Sequence, residues 1–419
     1  MKPTIQSLAF HMILLITFII GVPALAKDDP LKSADVLAFG PDNVLFVGDS
    51  STGAVYAFDT VAGQNDQQSS AYNLKNIDAE LASLLRTSTD NIQVKDLAVH
   101  PESKEAYIAV SRVRGSRYIP EIIIANQSGE FRRLDLAKTK HSKIQLGGLP
   151  SDDIVFWGRL SARSLTFTDI DYYDGKLYIS GLSNADFAST LRIVPYPFDE
   201  DNVTVASVEI FHANHNQVET RAPIRTLEIV TLDGKPHLLA AYTCTPLVTI
   251  PLDQLKNGAH VRGKTIAELG YGNTPIDLIQ YMAQDMEQNQ YPVVMLTNKN
   301  QSAQVIALGE IESSNKEASL DTFAGFQFAG TQFTPVPMTG LMHIDDLDDY
   351  HILSLRRNMD DGSIGLLSIM KNLYFRLSDF EAEYDFPDYA YGTDGSQDFT
   401  KQVQNMLKQD EGFAAEVKQ

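Results

Sequence analysis

The sequence predicts an all-β protein built from one repeated unit. Each copy has an apolar segment, a tight turn, a second apolar segment, a polar loop and a third apolar segment. The segments are short and rich in Val, Ile, Leu, Tyr and Phe, and Gly, Asp, Asn or Pro bound them, as is typical of antiparallel strands. The copies begin near residues 36, 96, 169, 226, 277 and 340, which is a mean step of about 61 residues.

Each unit therefore reads as a meander of strands. A lone meander cannot bury both of its faces, whereas six or seven of them stacked around an axis can. Six units cover most of the chain, so we predict one β-propeller of six blades, with seven as the alternative. Helical spacing of leucines over 77–88 predicts a short surface helix between the first two units.

The strand–turn–strand element also carries a family resemblance. Its turns are GPDN at 40–43, HPES at 100–103, YDGK at 173–176 and LDGK at 232–235. With these turns the chain resembles propellers with NHL-, YVTN- and SMP-30-type repeats, and it looks like a group of uncharacterised secreted bacterial propellers. The resemblance implies the propeller fold over nearly the whole chain.

The N-terminus predicts secretion. Lys2 is followed by an apolar run over 12–22 and by the small residues of Ala24-Leu25-Ala26, which is the pattern of a signal peptide rather than of a membrane span. We therefore predict a signal peptide over 1–26, a propeller over 27–391 and a helical tail over 392–419. The protein is expected to be secreted or periplasmic, and not an integral membrane protein.

Charge and cysteine content exclude several functions. The chain has 54 acidic and 34 basic residues and a net charge of −20, which argues against general binding to nucleic acid or anionic lipid. Its one cysteine excludes a disulfide framework and metal sites that need several thiols from one chain.

Propeller topology gathers candidate residues from distant parts of the chain. Loops that join second to third strands share one face with the connections between blades, and ligands often bind at such a face. These loops supply Asn184, Cys244 and Asn298. The connections supply Trp157 and the segment 212–225, which ends with Arg225.

Three carboxylates share one position in the repeat. Asp96, Asp169 and Asp277 stand at the start of the first strand in units two, three and five. A ring of carboxylates at the mouth of the channel would suit Ca²⁺. Two alternatives are that the ring pairs with Arg225 and that each Asp accepts hydrogen bonds from backbone N–H groups.

A second candidate combines His212, His215 and Glu219 with Cys244. Two imidazoles, a carboxylate and a thiolate suit Zn²⁺ or copper. The alternatives are a solvated polar connection, or a polar ligand site in which His and Arg donate. Cys244 by itself is either a buried small apolar residue or a thiolate nucleophile with a histidine as its base.

The leading functional prediction is a module that binds a small ligand or a protein through its loop face, and binding is favoured over catalysis. The resemblance to SMP-30-type proteins implies an alternative, a metal-dependent lactonase with a cation in the channel. Asp96, Asp169 and Asp277, with Asn184 or Asn298, would then be distant analogues of its ligands, but no Glu from the first unit matches that pattern. A third alternative is a copper-holding redox accessory protein.

Overall fold

The structure is a computed structural model that describes residues 30–61, 71–244, 246–284, 287, 289–380 and 396–413. The predicted signal peptide and parts of the predicted tail lie outside the described residues. The described chain forms six sheets, antiparallel except for one parallel strand pair, arranged as the six blades of a β-propeller, which confirms the predicted fold class.

The first two blades share the N-terminal part of the chain. Blade I starts with three strands: β1 (Val36–Phe39), β2 (Val44–Asp49) and β3 (Ala54–Asp59). Two short elements follow: β4 (Asn73–Leu74) and helix α1 (Ile77–Leu85). Blade II has four strands: β5 (Ile92–Val99), β6 (Ala106–Arg114), β7 (Arg117–Ala125) and β8 (Phe131–Arg133). The chain then returns to blade I with β9 (His141–Gln145), which pairs with β3.

The middle of the chain forms a hairpin and two blades. The hairpin has two strands: β10 (Val155–Phe156) and β11 (Leu160–Ser161). Blade III has five strands: β12 (Asp169–Tyr173), β13 (Lys176–Leu182), β14 (Ser189–Pro195), β15 (Thr204–His212) and β16 (Gln217–Glu219). Blade IV has four strands: β17 (Ile224–Leu232), β18 (Lys235–Tyr242), β19 (Pro246–Pro251) and β21 (Lys264–Glu268). Between β19 and β21 the chain forms β20 (His260–Arg262), which pairs with β15 of blade III.

The last two blades complete the ring. Blade V has four strands: β22 (Pro275–Gln284), β23 (Gln290–Asn298), β24 (Ala303–Ala307) and β26 (Thr334–Val336). Between β24 and β26 lie helix α2 (Leu308–Lys316) and β25 (Ala329–Gly330), and β25 pairs with β21 of blade IV. Blade VI has three consecutive strands and takes β4 as its outer strand: β27 (Leu341–Asp346), β28 (His351–Arg357) and β29 (Ile364–Met370). Helix α3 (Ser396–Gln409) lies in the predicted tail.

The order of the blades around the axis differs from their order in the chain. The innermost strand of blade I packs between those of blades II and III, and the innermost strand of blade VI packs against that of blade II. The ring therefore runs II, I, III, IV, V, VI. Because β4 reaches blade VI before blade II is made, and β9 returns afterwards to blade I, two separate strand exchanges tie the N-terminal segment to the ring.

Six apolar cores fill the six seams between neighbouring blades. The seam between blades VI and II also buries one face of α1, through Ile77, Leu81 and Leu85. Alternate inward-facing residues of neighbouring sheets pack together in this way because each sheet is apolar on both faces. None of the described helices is long and apolar enough to cross a membrane.

The innermost strands begin at the end of the propeller where the second strands end. Asp169 at the start of β12 lies opposite Ser180, close to the end of β13. The connections from second to third strands therefore lie at this end, which we call the loop face. Both candidate sites are found here.

Candidate functional site

A ring of six residues surrounds the channel near the loop face. This upper ring has one residue from each innermost strand, and we align them by the hydrogen bonds between blades: Val36, Asp169, Thr226, Asp277, His343 and Asp96. In β5, β17, β22 and β27 the strand register shifts directly before or at this position. Such a bulge re-aims a side chain.

The upper-ring carboxylates bond to the backbone of the next blade. Asp96 Oδ2 accepts from Leu37 N at 2.6 Å, and Asp277 Oδ2 accepts from Ile344 N at 2.7 Å. Asp169 Oδ2 accepts from Leu227 N at 2.8 Å. These Asp residues therefore act as clamps across three of the six seams, which is the backbone-bonding arrangement expected as one alternative.

A second set of carboxylates lies deeper in the channel. Asp171 Oδ2 accepts from Ile229 N at 2.9 Å, and Asp345 Oδ2 accepts from Val99 N at 2.6 Å. Glu228 lies beside Asp171 and Asp345 in the same cavity, which has a volume of about 360 Å³. The channel thus has two layers of acidic side chains.

His343 stands between two of the predicted carboxylates. Its Nδ1 lies 3.3 Å from Asp277 Oδ1 and 3.4 Å from Asp96 Oδ1. Burial alone would lower the pKa of His343, but the charges of Asp277, Asp96 and Asp169 raise it to about 9. The imidazole of His343, whose pKa is raised, therefore lies where the sequence predicted a cation, and Asp169 is not among the three side chains that converge within 4.8 Å.

Sequence reasoning missed His343 because the sixth unit starts at Gly340, and the bulge between Leu341 and His343 hides the register. Aligning the sixth unit with the fifth, so that His343 matches Asp277, would have identified His343 from the sequence.

Burial raises the pKa of Asp96 and Asp345 to about 7 and that of Asp171 to about 6.

The second candidate site joins blades III and IV. His212 ends β15, His215 lies in the turn to β16, and Glu219 ends β16. Cys244 lies in the turn from β18 to β19 with φ +68°, a left-handed conformation that a non-glycine residue rarely adopts. Side-chain ligand atoms of His212, His215 and Cys244 all lie within 4.8 Å of one another. The loops thus converge as the sequence analysis required.

Glu219 orients both imidazoles. Its Oε1 lies 3.0 Å from His212 Nδ1 and 2.8 Å from His215 Nδ1. Burial would raise the pKa of Glu219, but hydrogen bonds from His212, His215 and Gln217 outweigh burial and lower it to about 2. With Nδ1 occupied by the carboxylate, each ring presents Nε2 as its second nitrogen.

Several buried polar atoms next to His212 have no hydrogen-bond partner among the described residues. They are His212 Nε2, Glu268 Oε2, both side-chain polar atoms of Asn214, and Asn273 Nδ2. The four residues are each at most 1% exposed. His212 Nε2 and Glu268 Oε2 lie 3.7 Å apart, and burial raises the pKa of Glu268. Buried polar atoms are normally paired, so this cluster is unusual. Neither Glu268 nor Asn214 was predicted as a site residue.

Exposed aromatic rings border the same cluster. Tyr271 precedes Gly272, whose N–H points to Cys244 Sγ at 3.4 Å. The ring of Tyr271 lies 5.0 Å from that of Phe326, which is 62% exposed, and Phe323 lies 6.0 Å from Phe326. Ala324, between the two phenylalanines, donates its N–H to Ala213 O, next to His212. We call Tyr271, Phe323 and Phe326 the aromatic rim.

The other predicted ligand-binding residues lie elsewhere. Asn298 is buried, and its Nδ2 donates hydrogen bonds to Ser302 O and Gln304 Oε1, which is a structural role. Trp157 is at the tip of the β10–β11 hairpin and is 96% exposed. Asn184 is exposed in the β13–β14 loop.

Arg225 is half-buried beside the upper ring. Burial lowers the pKa of its guanidinium, partly offset by the charge of Asp169. Its Nε has no hydrogen-bond partner among the described residues. The structure thus places Arg225 near one of the three predicted carboxylates, while His343 takes the position between the other two.

Replacing Asn214 by Leu is expected to raise the free energy of unfolding by about 1 kcal/mol, because it removes two unpartnered buried polar groups. Asn298→Leu is the matched control and should lower it by about 1–2 kcal/mol, because Asn298 Nδ2 donates to Ser302 O and Gln304 Oε1, while only its Oδ1 has no partner among the described residues. Urea unfolding measures both. If Asn214→Leu destabilises as much as Asn298→Leu, the Asn214 amide serves stability rather than a ligand.

The comparisons with known proteins add structural similarity only. No family model matches the sequence, and no curated protein matches it either. Similar solved structures include Drosophila Semaphorin 1b extracellular domains 1–2, with 9% identity, TM-score 0.35, and coverage of 81% of this chain and 87% of that one. Another is the Myceliophteria thermophila Cps50 (Swd1) β-propeller domain, with 11% identity, TM-score 0.32, and coverage of 81% and 98%. Similarity at this level carries no argument about function.

Proposed function

We propose that the protein is a secreted binding module that holds a small ligand at the loop-face cluster of His212, Glu268 and Cys244, beside the aromatic rim. The propeller fold is consistent with a binding module. The observation that carries the proposal is the group of unpartnered, buried polar atoms directly beside exposed aromatic rings. Secretion rests on the predicted signal peptide over 1–26.

The burial of the polar atoms favours a small ligand over a protein partner. His212 and Asn214 are each 1% exposed, so only a small group that inserts between these side chains would reach them. The exposed aromatic rings beside the cluster would pack against an apolar part of the same ligand, because aromatic side chains contribute most of the contact energy in such sites. The expected ligand has a polar head and an apolar or aromatic body.

The dye anilinonaphthalene sulfonate, which combines these two parts, is a suitable probe. Phe326→Ser is expected to weaken its binding to the native protein roughly fivefold, the loss of about 1 kcal/mol of apolar contact. Tyr350→Ser is the matched control, because Tyr350 is 70% exposed but lies in the β27–β28 turn, at the opposite face. Fluorescence titration, with near-ultraviolet circular dichroism to verify folding, measures the effect.

Equal binding by wild type and Phe326→Ser would count against the aromatic rim as a ligand surface. So would an equal loss in Phe326→Ser and Tyr350→Ser, which would show that the dye binds exposed rings without preference. Neither outcome depends on a metal.

A further inference from the structure

We propose that His212, His215 and Cys244 bind one transition-metal ion of the zinc and copper class at the loop-face cluster. This inference rests on the proposed function, because it names what the inner part of the same cluster holds. The donor set is two imidazoles and one thiol, which is the chemistry that Zn²⁺ and copper ions prefer. Ca²⁺ and Mg²⁺ prefer oxygen ligands, so this donor set does not suit them.

The positions of the donors fit one ion. Ligand atoms about 2.0–2.3 Å from a tetrahedral ion lie roughly 3.3–3.8 Å apart, and the three donor atoms lie within 4.8 Å of one another. Closing the remaining gap takes a shift of about 1 Å. His215 is exposed and Cys244 sits in a turn, so neither shift disturbs a seam between blades.

Glu219 has the place that a supporting carboxylate takes at metal sites. Histidines that bind a metal through one ring nitrogen usually donate the other N–H to a carboxylate, which fixes the tautomer and the ring orientation. Here one oxygen, Glu219 Oε1, contacts the Nδ1 atoms of both His212 and His215. A solvated polar turn does not require one carboxylate to align two imidazoles, so this arrangement favours a metal site.

A buried nitrogen supplies the independent observation. His212 Nε2 is fully buried and has no hydrogen-bond partner within the described part of the chain. It lies 3.7 Å from Glu268 Oε2, which is also unpartnered. That separation is too long for a hydrogen bond but close to the spacing of two ligands on one ion. Glu268 contacts only His212 in this way and is not one of the three residues whose ligand atoms converge, so the proposed donors remain His212, His215 and Cys244.

The alternative use of the same residues is a thiolate nucleophile with a histidine base. That arrangement needs one imidazole, oriented by one carboxylate. The structure instead directs two imidazoles to the thiol, which favours metal binding.

Titration of the metal-free protein with Co²⁺ tests the site, because a cobalt–thiolate bond gives a charge-transfer absorption band. We expect one Co²⁺ per chain and this band, displaced by Zn²⁺. Cys244→Ser should abolish the band, and His215→Gln should weaken Co²⁺ binding at least about tenfold. Asp277→Asn in the channel is the matched control and should leave both unchanged.

Alkylation of Cys244 by iodoacetamide gives a second readout in the unmodified chain. Zn²⁺ is expected to slow alkylation at least about tenfold, because a coordinated thiolate is a poor nucleophile, and His215→Gln should lose this protection. Absence of the cobalt band, or equal alkylation with and without Zn²⁺, overturns the metal site. If the dye still binds at Phe326 in that case, the proposed binding function stands without the metal. If the dye binding fails as well, both are wrong.

Discussion

Raising the pH from 5 to 8 is expected to lower the free energy of unfolding by at least about 2 kcal/mol. The cause is the channel. Burial raises the pKa of Asp96 and Asp345 to about 7 and that of Asp171 to about 6, and burial with neighbouring carboxylates raises the pKa of Glu228. Between about pH 4 and pH 7 the folded protein therefore holds protons that the unfolded chain has released. By linkage, stability falls as the pH rises through this window.

His343 changes stability in the same direction. Its pKa is raised to about 9, so its contribution is complete below about pH 6.5 and is lost as the pH rises through 9. Glu219 acts in the opposite sense at the acidic end. Its pKa is lowered to about 2, so its contribution is present above about pH 4.5 and is lost as the pH falls through 2. Together these groups place the stability maximum in mild acid.

Urea unfolding across this pH range measures the profile. Glu228→Gln is the informative variant, because the Gln amide cannot ionise in the folded or the unfolded chain and keeps the shape of the side chain. It should stabilise the protein by about 1 kcal/mol at pH 8 and have little effect at pH 5. A wild-type protein that is more stable at pH 8 than at pH 5 would contradict the buried-carboxylate account.

Replacing His343 by Leu is expected to cost about 2–4 kcal/mol at pH 7, because it removes the imidazole between Asp277 and Asp96 and leaves these two partly buried carboxyl groups facing each other. Asp277 and Asp96 lie 3.3 and 3.4 Å from the His343 nitrogen. His260→Leu is the matched control: His260 pairs with Glu209 at 3.0 Å on the surface, and exposed pairs contribute less than about 1 kcal/mol. Chemical denaturation of both variants at one pH gives the comparison.

A double variant separates the ion pair from the loss of the ring itself. Asp277→Asn combined with His343→Leu should cost less than the sum of the two single changes, because the Asn removes the charge that His343 balances. Exact additivity, or a loss in His343→Leu no larger than in His260→Leu, would show that His343 is not the counter-ion of the upper ring.

Local pattern was sufficient for the class of fold and for part of the sites. The strand segments and turns of each unit depend on neighbouring residues, so the six blades and the equivalent positions of Asp96, Asp169 and Asp277 were predictable from periodicity. Propeller topology also predicted that the loops with His212, His215 and Cys244 share one face, but the convergence of their side chains was only one possibility. Both histidines are close in sequence, and Cys244 lies in a second-to-third-strand turn.

The remaining features depend on contacts across seams, which leave no local pattern. The pairing of β9 with β3 joins distant segments of the chain, and the ring order depends on contacts between the innermost strands. A bulge before His343 shifted its register by one residue, so the counter-ion of Asp96 and Asp277 was not recognised. Glu268 and Phe326 reach the His–Cys cluster from separate strands and loops. Tertiary packing alone decides which of these side chains meet, because side chains from distant segments meet only when the sheets stack.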